Sequence, residues 1–356
     1  MLGVSRDKKT DNGNGVGIAA LLTAAVFMLS SCAPRDAAQN GVPHPDATTE
    51  RIYVVTQRAL DRTGPVFGEQ RLNTLNHFRA DISIPPTHEV GQIEWARGKA
   101  NAATDFVVTD TDVFDDSTEM MRDIRGHRDH SETLVFVHGY NNTLSDAMYR
   151  LAQIKTDFES PDPALLFSWQ SAGDARGYVY DRDSVLFARD DLMNTLKNLT
   201  NGPKETVFIV AHSMGATLAM EALRQAALSG DKHLLSRIGG VVLMSPDIDP
   251  DLFRKQAEAI GKLPDPFLIF VSQSDRALGF AGFLTGRKPR LGGIDNPDQV
   301  EGLDVTVLDF TALDDGVGLH HAVPVTSPAA VTLLRGMIAQ QAATGEGFDR
   351  HVVLEE

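Results

Sequence analysis

Thr206-Val207-Phe208-Ile209-Val210-Ala211-His212-Ser213-Met214-Gly215 is the stretch on which the fold turns. An apolar, β-branched run breaks at Ser213 into a helix-like stretch that continues from Met214 to Leu228. A strand that turns directly into a helix at a serine leaves little room for side chains two residues before and two after it. Ala211 and Gly215 are the small residues at those places. Such a turn is a nucleophile elbow, which forces the serine into a strained backbone pose and exposes its hydroxyl above the sheet rim. Ala211 stands where the usual pattern has glycine, a departure of one methyl group. The bland alternative is a buried serine that ends a core strand.

Outward from the elbow, apolar runs alternate with helical patterns from residue 50 onward. That is the rhythm of an α/β fold, a mostly parallel central sheet with helices on both faces. Strands are predicted at 52–56, 80–84, 106–109, 133–137, 164–169, 206–211, 240–244, 267–272 and 305–310. Helices are predicted near 143–158, 184–199, 214–228, 251–259 and 327–341. Thr143 and Ser327 are the expected N-caps, with Pro328 suited to a first helical turn. The early strands have few helices between them, which predicts an antiparallel leading edge.

A serine hydroxyl is a poor nucleophile at neutral pH, so it needs a base, and the base needs an orienting acid. In an open α/β sheet both should lie on loops after later strands. Asp275 follows the run Phe267-Leu268-Ile269-Phe270-Val271, and His320 and His321 follow the last strand. Ser, Asp, His is the chain order of an α/β-hydrolase. Asp247 and Asp249 also follow a strand and are alternative acids, although a role in capping the next helix suits them better. His321 is preferred to His320 as the base. An oxyanion hole requires two backbone N–H groups. Met214, which opens the helix, supplies one; Tyr140, in the loop His138-Gly139-Tyr140-Asn141-Asn142, supplies the other. His138 is read as a support of that loop rather than as a base.

Val137-His138-Gly139-Tyr140-Asn141-Asn142 resembles the HGYN motif of a bacterial α/β-hydrolase family of unknown function whose members are often lipoproteins. Further similarity runs through Thr56-Gln57-Arg58, Ser83-Ile84-Pro85-Pro86-Thr87-His88, Phe167-Ser168-Trp169-Gln170-Ser171 and Tyr180-Asp181-Arg182-Asp183-Ser184. It continues in Ser213-Met214-Gly215, Asp275-Arg276-Ala277-Leu278 and His321, covering residues 50–335. The resemblance implies the α/β-hydrolase fold and a triad of Ser213, Asp275 and His321, because the family has one histidine shortly before Ser-Pro, here Ser327-Pro328. Gln170 replaces the proline of the family's Trp-Pro-Ser. Neither this change nor Ala211 removes a reacting group.

The 356 residues carry a formal net charge of −15, which argues against nucleic-acid binding through a global positive field. Cys32 is the single cysteine, so no intrachain disulfide or cysteine-rich metal site is expected. Arg6, Lys8 and Lys9, an apolar stretch over 16–29, and Leu29-Ser30-Ser31-Cys32 together have the form of an export signal with a lipobox. Residues 1–31 are thus expected to be a lipoprotein signal peptide, with Cys32 lipidated. Residues 32–49 are expected to form a flexible tether, 50–345 the α/β-hydrolase domain and 346–356 a C-terminal tail. The expected location is the bacterial cell envelope, with Ala33 after the cysteine favouring the outer membrane of a Gram-negative source.

No His-Glu-x-x-His, P-loop or dinucleotide fingerprint is visible, so no metal or organic cofactor is expected. The expected partners are a small-molecule ester, lipid esters included, and the membrane through the anchor; oligomeric state is left open. Esters are favoured over amides because their leaving groups are easier to expel. The competing readings are a catalytically silent envelope lipoprotein that binds or scaffolds, and an envelope acyltransferase. Residues 173–180 are a candidate pocket wall. The glycine-rich stretch 279–302, with Arg287, Lys288 and Arg290, is expected to be a solvated surface loop, with a mobile flap as the other reading.

Overall fold

Ala164-Leu165-Leu166-Phe167-Ser168 and Phe267-Leu268-Ile269-Phe270-Val271 are buried at every position, as strands covered on both faces must be. They are β5 (Ala164–Ser168) and β8 (Phe267–Val271) of a computed structural model that describes residues 37–60, 67–127, 131–286, 288–313, 321–344 and 351–354. The other strands are β1 (Thr48–Leu60), β2 (Phe67–Ile84), β3 (Val107–Phe114), β4 (Glu132–Val137), β6 (Thr206–His212), β7 (Ile238–Met244), β9 (Thr306–Asp309) and β10 (His351–Val353). Among the described residues they form a ten-stranded sheet in the order β10-β9-β8-β7-β6-β4-β5-β1-β2-β3. From β1 to β10 every neighbouring pair is parallel. Only β2 runs against its neighbours, so the leading edge is antiparallel because of one strand.

Alternation along β6 sorts its side chains to two cores. Val207, Ile209 and Ala211 face helices Tyr178–Leu199 and Met214–Leu228, while Phe208 and Val210 face helices Leu144–Asp157 and Pro328–Thr344. Thr143 caps its helix as expected: its hydroxyl accepts from the Asp146 N–H at 3.1 Å, and Asp146 accepts from the Thr143 N–H at 2.9 Å. Ser327 Oγ accepts from the Ala330 N–H at 3.4 Å at the start of the last helix. Among the described residues, no helix is long and apolar enough to cross a membrane.

Several boundaries differ from expectation. The flexible tether does not extend to residue 49, since Gly41 donates to the Val108 carbonyl and Val108 to that of Gln39, both at 2.9 Å. The free edge of β3 offers unpaired backbone groups, and residues 39–41 take them up. In the expected tail, residues 351–353 pair with β9. Helix Tyr178–Leu199 begins six residues before the predicted start at Ser184, because Asp181 turns inward to neighbours in other loops. The signal segment 1–31, Cys32 and His320 lie outside the described residues.

One polar staple at the end of β2 joins three distant segments. His88 Nδ1 lies 2.9 Å from Glu94 Oε2, and its Nε2 lies 2.9 Å from Asp157 Oδ1 on helix Leu144–Asp157. Gly91 N–H donates to Asp157 Oδ2 at 2.6 Å, and Gln153 Nε2 donates to the Val325 carbonyl at 3.0 Å. Burial pushes the His88 imidazolium pKa down, but the hydrogen bonds to Asp157 and Glu94 outweigh it and lift the pKa to about 9. A raised folded-state value means this contribution is complete below the unfolded pKa of about 6.5 and is lost as pH rises through about 9. His88→Ala is therefore expected to cost about 3 kcal/mol at pH 6, where Asp157 is left buried without its cation, and much less at pH 10. Urea unfolding of wild type and variant at the two pH values checks this; an equal loss at both would remove the ion pair from the account.

Candidate active site

Ser213 directly follows β6 and is buried rather than standing clear of the sheet rim; its φ of 53° and ψ of −121° are a left-handed backbone pose that costs a non-glycine residue about 1–3 kcal/mol. Neighbouring strands hold it there. Ser213 N–H donates to the Met244 carbonyl of β7 at 2.9 Å, and the Ser213 carbonyl accepts from Ala216 at 3.1 Å and Asp247 at 3.2 Å. Gly215 is required by contact: a Cβ there would lie 2.3 Å from the His138 carbonyl oxygen and 2.5 Å from that of Val137. A Cβ on Gly139 would lie 2.8 Å from the Ser213 Cβ. The helix start, the end of β4 and the serine are thus pressed together with no spare atom between them.

Asp275 and His321 meet from different strands. Asp275 follows β8, and His321 precedes helix Val323–Thr326 in the segment after β9. His321 Nδ1 lies 2.7 Å from Asp275 Oδ2, while Asp275 Oδ1 accepts from the Leu278 N–H at 2.9 Å and caps helix Arg276–Leu284. The carboxylate is therefore fixed by the helix it caps and aimed by it at the imidazole. His212, next to the serine, brings the histidine segment to the elbow. Its Nε2 lies 3.1 Å from the His321 carbonyl, and the two rings are 4.6 Å apart. Burial, then the neighbouring His321, holds the His212 pKa well below the ordinary histidine value, so the ring is neutral and can donate to that carbonyl. Among the described residues, no hydrogen bond joins the Ser213 hydroxyl to His321. Contacts of this type often tighten only when substrate arrives.

The alternative acids are engaged elsewhere. Asp249 caps helix Pro250–Ile260, accepting from Asp251 at 2.9 Å and Leu252 at 3.2 Å. Asp247 accepts from the Tyr178 hydroxyl at 2.9 Å and lies 2.9 Å from Arg290 Nε. That last distance makes an ion pair, although the N–H points off the oxygen and forms no hydrogen bond. Arg290 therefore belongs to neither a solvated loop nor a mobile flap: Leu291, Ile294 and Val300 are buried, and Gly292 packs against Ser245 and Pro246. The backbone of this segment is strapped across the ends of β7 and β8 by bonds from Leu291 to Ile248 at 2.8 Å and from Ser272 to Gly292 at 2.9 Å. Arg287 lies outside the described residues.

Residues that carried the sequence resemblance converge on the loop after β4. Asn141 adopts φ 59°, which asparagine tolerates, and donates its N–H to Asp181 Oδ2 at 3.1 Å. Asp181 also accepts from Ser171 Oγ at 2.6 Å and the Ala172 N–H at 2.7 Å; burial raises its pKa despite those donors. Buried Arg58 donates to the Asn142 carbonyl at 3.1 Å and to that of Ser171 at 3.2 Å. His138 stacks on Trp169 with rings 5.0 Å apart, and burial, then nearby Arg58, pushes its pKa down to about 3. A neutral ring at zero exposure suits the predicted loop support. Tyr140 meets Tyr178 edge-on at 5.4 Å, and its hydroxyl donates to the Ala175 carbonyl. Residues 173–180, the candidate pocket wall, thus reach both the loop and a cleft of about 410 Å³ beside Met214.

His212, Arg58, Asp181 and Arg290 were not assigned roles from sequence. Their partners lie mostly in loops elsewhere in the chain, so local spacing carries no sign of them. Position beside the serine is the one cue His212 offers.

A family model described as Alpha/beta hydrolase of unknown function (DUF900) matches residues 114–338, more than half of the chain. No curated protein matches. Among solved structures, fungal esterases from Rhizomucor miehei align at 13% identity over 95% of this chain and 94% of theirs, with a TM-score of 0.36. Carboxyl esterase 2 from Tuber melanosporum aligns at 11% over 89% and 97%, with a TM-score of 0.40. Esterase B from Lactobacillus rhamnosis, with a tributyrin phosphonate inhibitor, aligns at 14% over 94% and 99%, with a TM-score of 0.34. Likenesses this distant say nothing about substrate. The parallel sheet with helices on both faces, the serine at the end of β6 and the family match lead to one conclusion: the chain belongs to the alpha/beta hydrolases of unknown function, and it is a hydrolase with the α/β-hydrolase fold.

Proposed function

We propose that this hydrolase cleaves carboxylic esters through an acyl-enzyme, with Ser213 as nucleophile, His321 as base and Asp275 as the acid that orients it. The observation that carries the reading is the 2.7 Å contact between Asp275 and His321 beside the strained elbow. Ser213 Oγ attacks the ester carbonyl carbon while His321 Nε2 takes its proton. The N–H groups of Met214 and Tyr140 receive the developing oxyanion, each worth about 3 kcal/mol in the transition state. Collapse expels the alcohol, which leaves with the proton from His321. Water, deprotonated in turn by His321, then releases the acid and restores the serine. Asp275 keeps the proton of the neutral ring on Nδ1, so that Nε2 is free to accept, and it stabilises the imidazolium that forms.

A fluorophosphonate probe tests this reading. Wild type should be labelled at Ser213 and Ser213→Ala should not. A folded wild type that takes no label would make the chain a binding protein that retains the fold without turnover. We also propose attachment to the bacterial cell envelope through an acylated Cys32, on the lipobox pattern of residues 29–32. Mass spectrometry of the mature protein should find a lipid-modified Cys32 at its N-terminus; a retained leader refutes the anchor.

A further inference from the structure

Helix Tyr178–Leu199 presents Tyr178, Arg182, Val185 and Leu186 to the cleft, and helix Met214–Leu228 presents Met214, Thr217 and Glu221. The spacings of three, four and seven along each helix put each set on one face. Between the two faces runs a groove of about 410 Å³, within the usual range for small-molecule sites. At its inner end are Met214 and Tyr178, the latter in edge contact with Tyr140. Val185 and Ile248 are buried along it, whereas Val179, Leu186 and Leu252 are 72%, 53% and 44% exposed. A mostly apolar groove thus leads from Met214, one of the proposed oxyanion donors, to an open mouth at Val179, Leu186 and Leu252.

Most charged groups along the groove are already engaged. Asp247 is held by Tyr178 and Arg290, Asp249 by its helix cap, and Glu221 Oε1 accepts from Gln256 Nε2 at 2.7 Å. Arg182 and Asp183 also line the groove; apart from these two, a charged or polyhydroxylated ligand would have to displace the contacts just described. An alkyl chain displaces none and covers the apolar wall.

We propose that this groove holds the acyl chain of the substrate, a linear, uncharged alkyl chain whose carbonyl lies at Met214 and whose tail points toward Leu186 and Leu252. The assignment rests on the ester-hydrolase reading for what occupies the groove, but not for how it is tested. Binding of unreactive butanamide and octanamide to the full chain carrying Ser213→Ala reads the groove without turnover. Octanamide should bind about tenfold more tightly or better, since its additional methylenes leave water. Adding Leu186→Asp and Leu252→Asp, both at exposed positions that the fold tolerates, should reduce that preference to about threefold or less. Equal affinities for the two amides, or a preference unchanged by the double substitution, overturns the assignment. Failure of fluorophosphonate labelling removes the catalytic reading instead, so the two outcomes are distinguishable.

Discussion

Ser213→Ala and His321→Ala are each expected to lower ester kcat by about a millionfold, and the double variant by no more than either alone. A hydroxyl without a base is almost inert at neutral pH, and a base without a nucleophile has no proton to take. Each residue is therefore worth its full effect only in the presence of the other. The rate that survives comes from oxyanion donors that neither substitution touches. Steady-state kinetics on the two single variants and the double variant provide the check; losses that multiply would mean that the two side chains act independently. His320→Ala is the control, expected to retain most activity, because the Asp275 carboxylate engages His321.

Asp275→Asn should lower kcat by about ten-thousandfold while leaving the fold nearly as stable. Asparagine caps helices as well as aspartate does, so the bond to the Leu278 N–H survives. What disappears is the negative charge facing Nδ1, and with it the preference for the tautomer whose Nε2 can accept a proton. Asp247→Asn should behave in the opposite way. It discharges the partner of buried Arg290, 2.9 Å away, and is expected to cost about 3 kcal/mol of stability with a far smaller effect on chemistry. Paired kcat and urea-unfolding measurements separate the two carboxylates. A rate loss for Asp247→Asn as large as that for Asp275→Asn would put the wrong acid in the mechanism.

The elbow was legible because its constraints act within five residues: a strand, a serine, a helix and small neighbours are all visible in one window. Asp275 and His321 could be placed because each follows a recognisable apolar strand. Asp247 follows one as well, and the capping role that set it apart from Asp275 falls to Asp249 instead. The distinction lies in Arg290 and Tyr178, which reach it from other parts of the chain. Arg290 itself was misleading, since a cationic, glycine-rich stretch resembles surface until the charge that neutralises it is known. The start of helix Tyr178–Leu199 was hidden for a related reason, because its first turn spends Asp181 on fastening another loop. Residues 39–41 look like linker, and only the open side of β3 gives them a place. Local grammar therefore recovered the sheet and named the residues proposed to react; long-range pairing of charges had to be seen.

The strands that deliver the proposed reacting groups are spread along the polypeptide, with the serine after β6, the carboxylate after β8 and the imidazole only beyond β9. A chain still leaving the ribosome can fold its amino-terminal portion first. On this layout, such a partial product would hold the hydroxyl without the groups that awaken it, so the hydrolase stays harmless to its surroundings until the segment beyond β9 has been made.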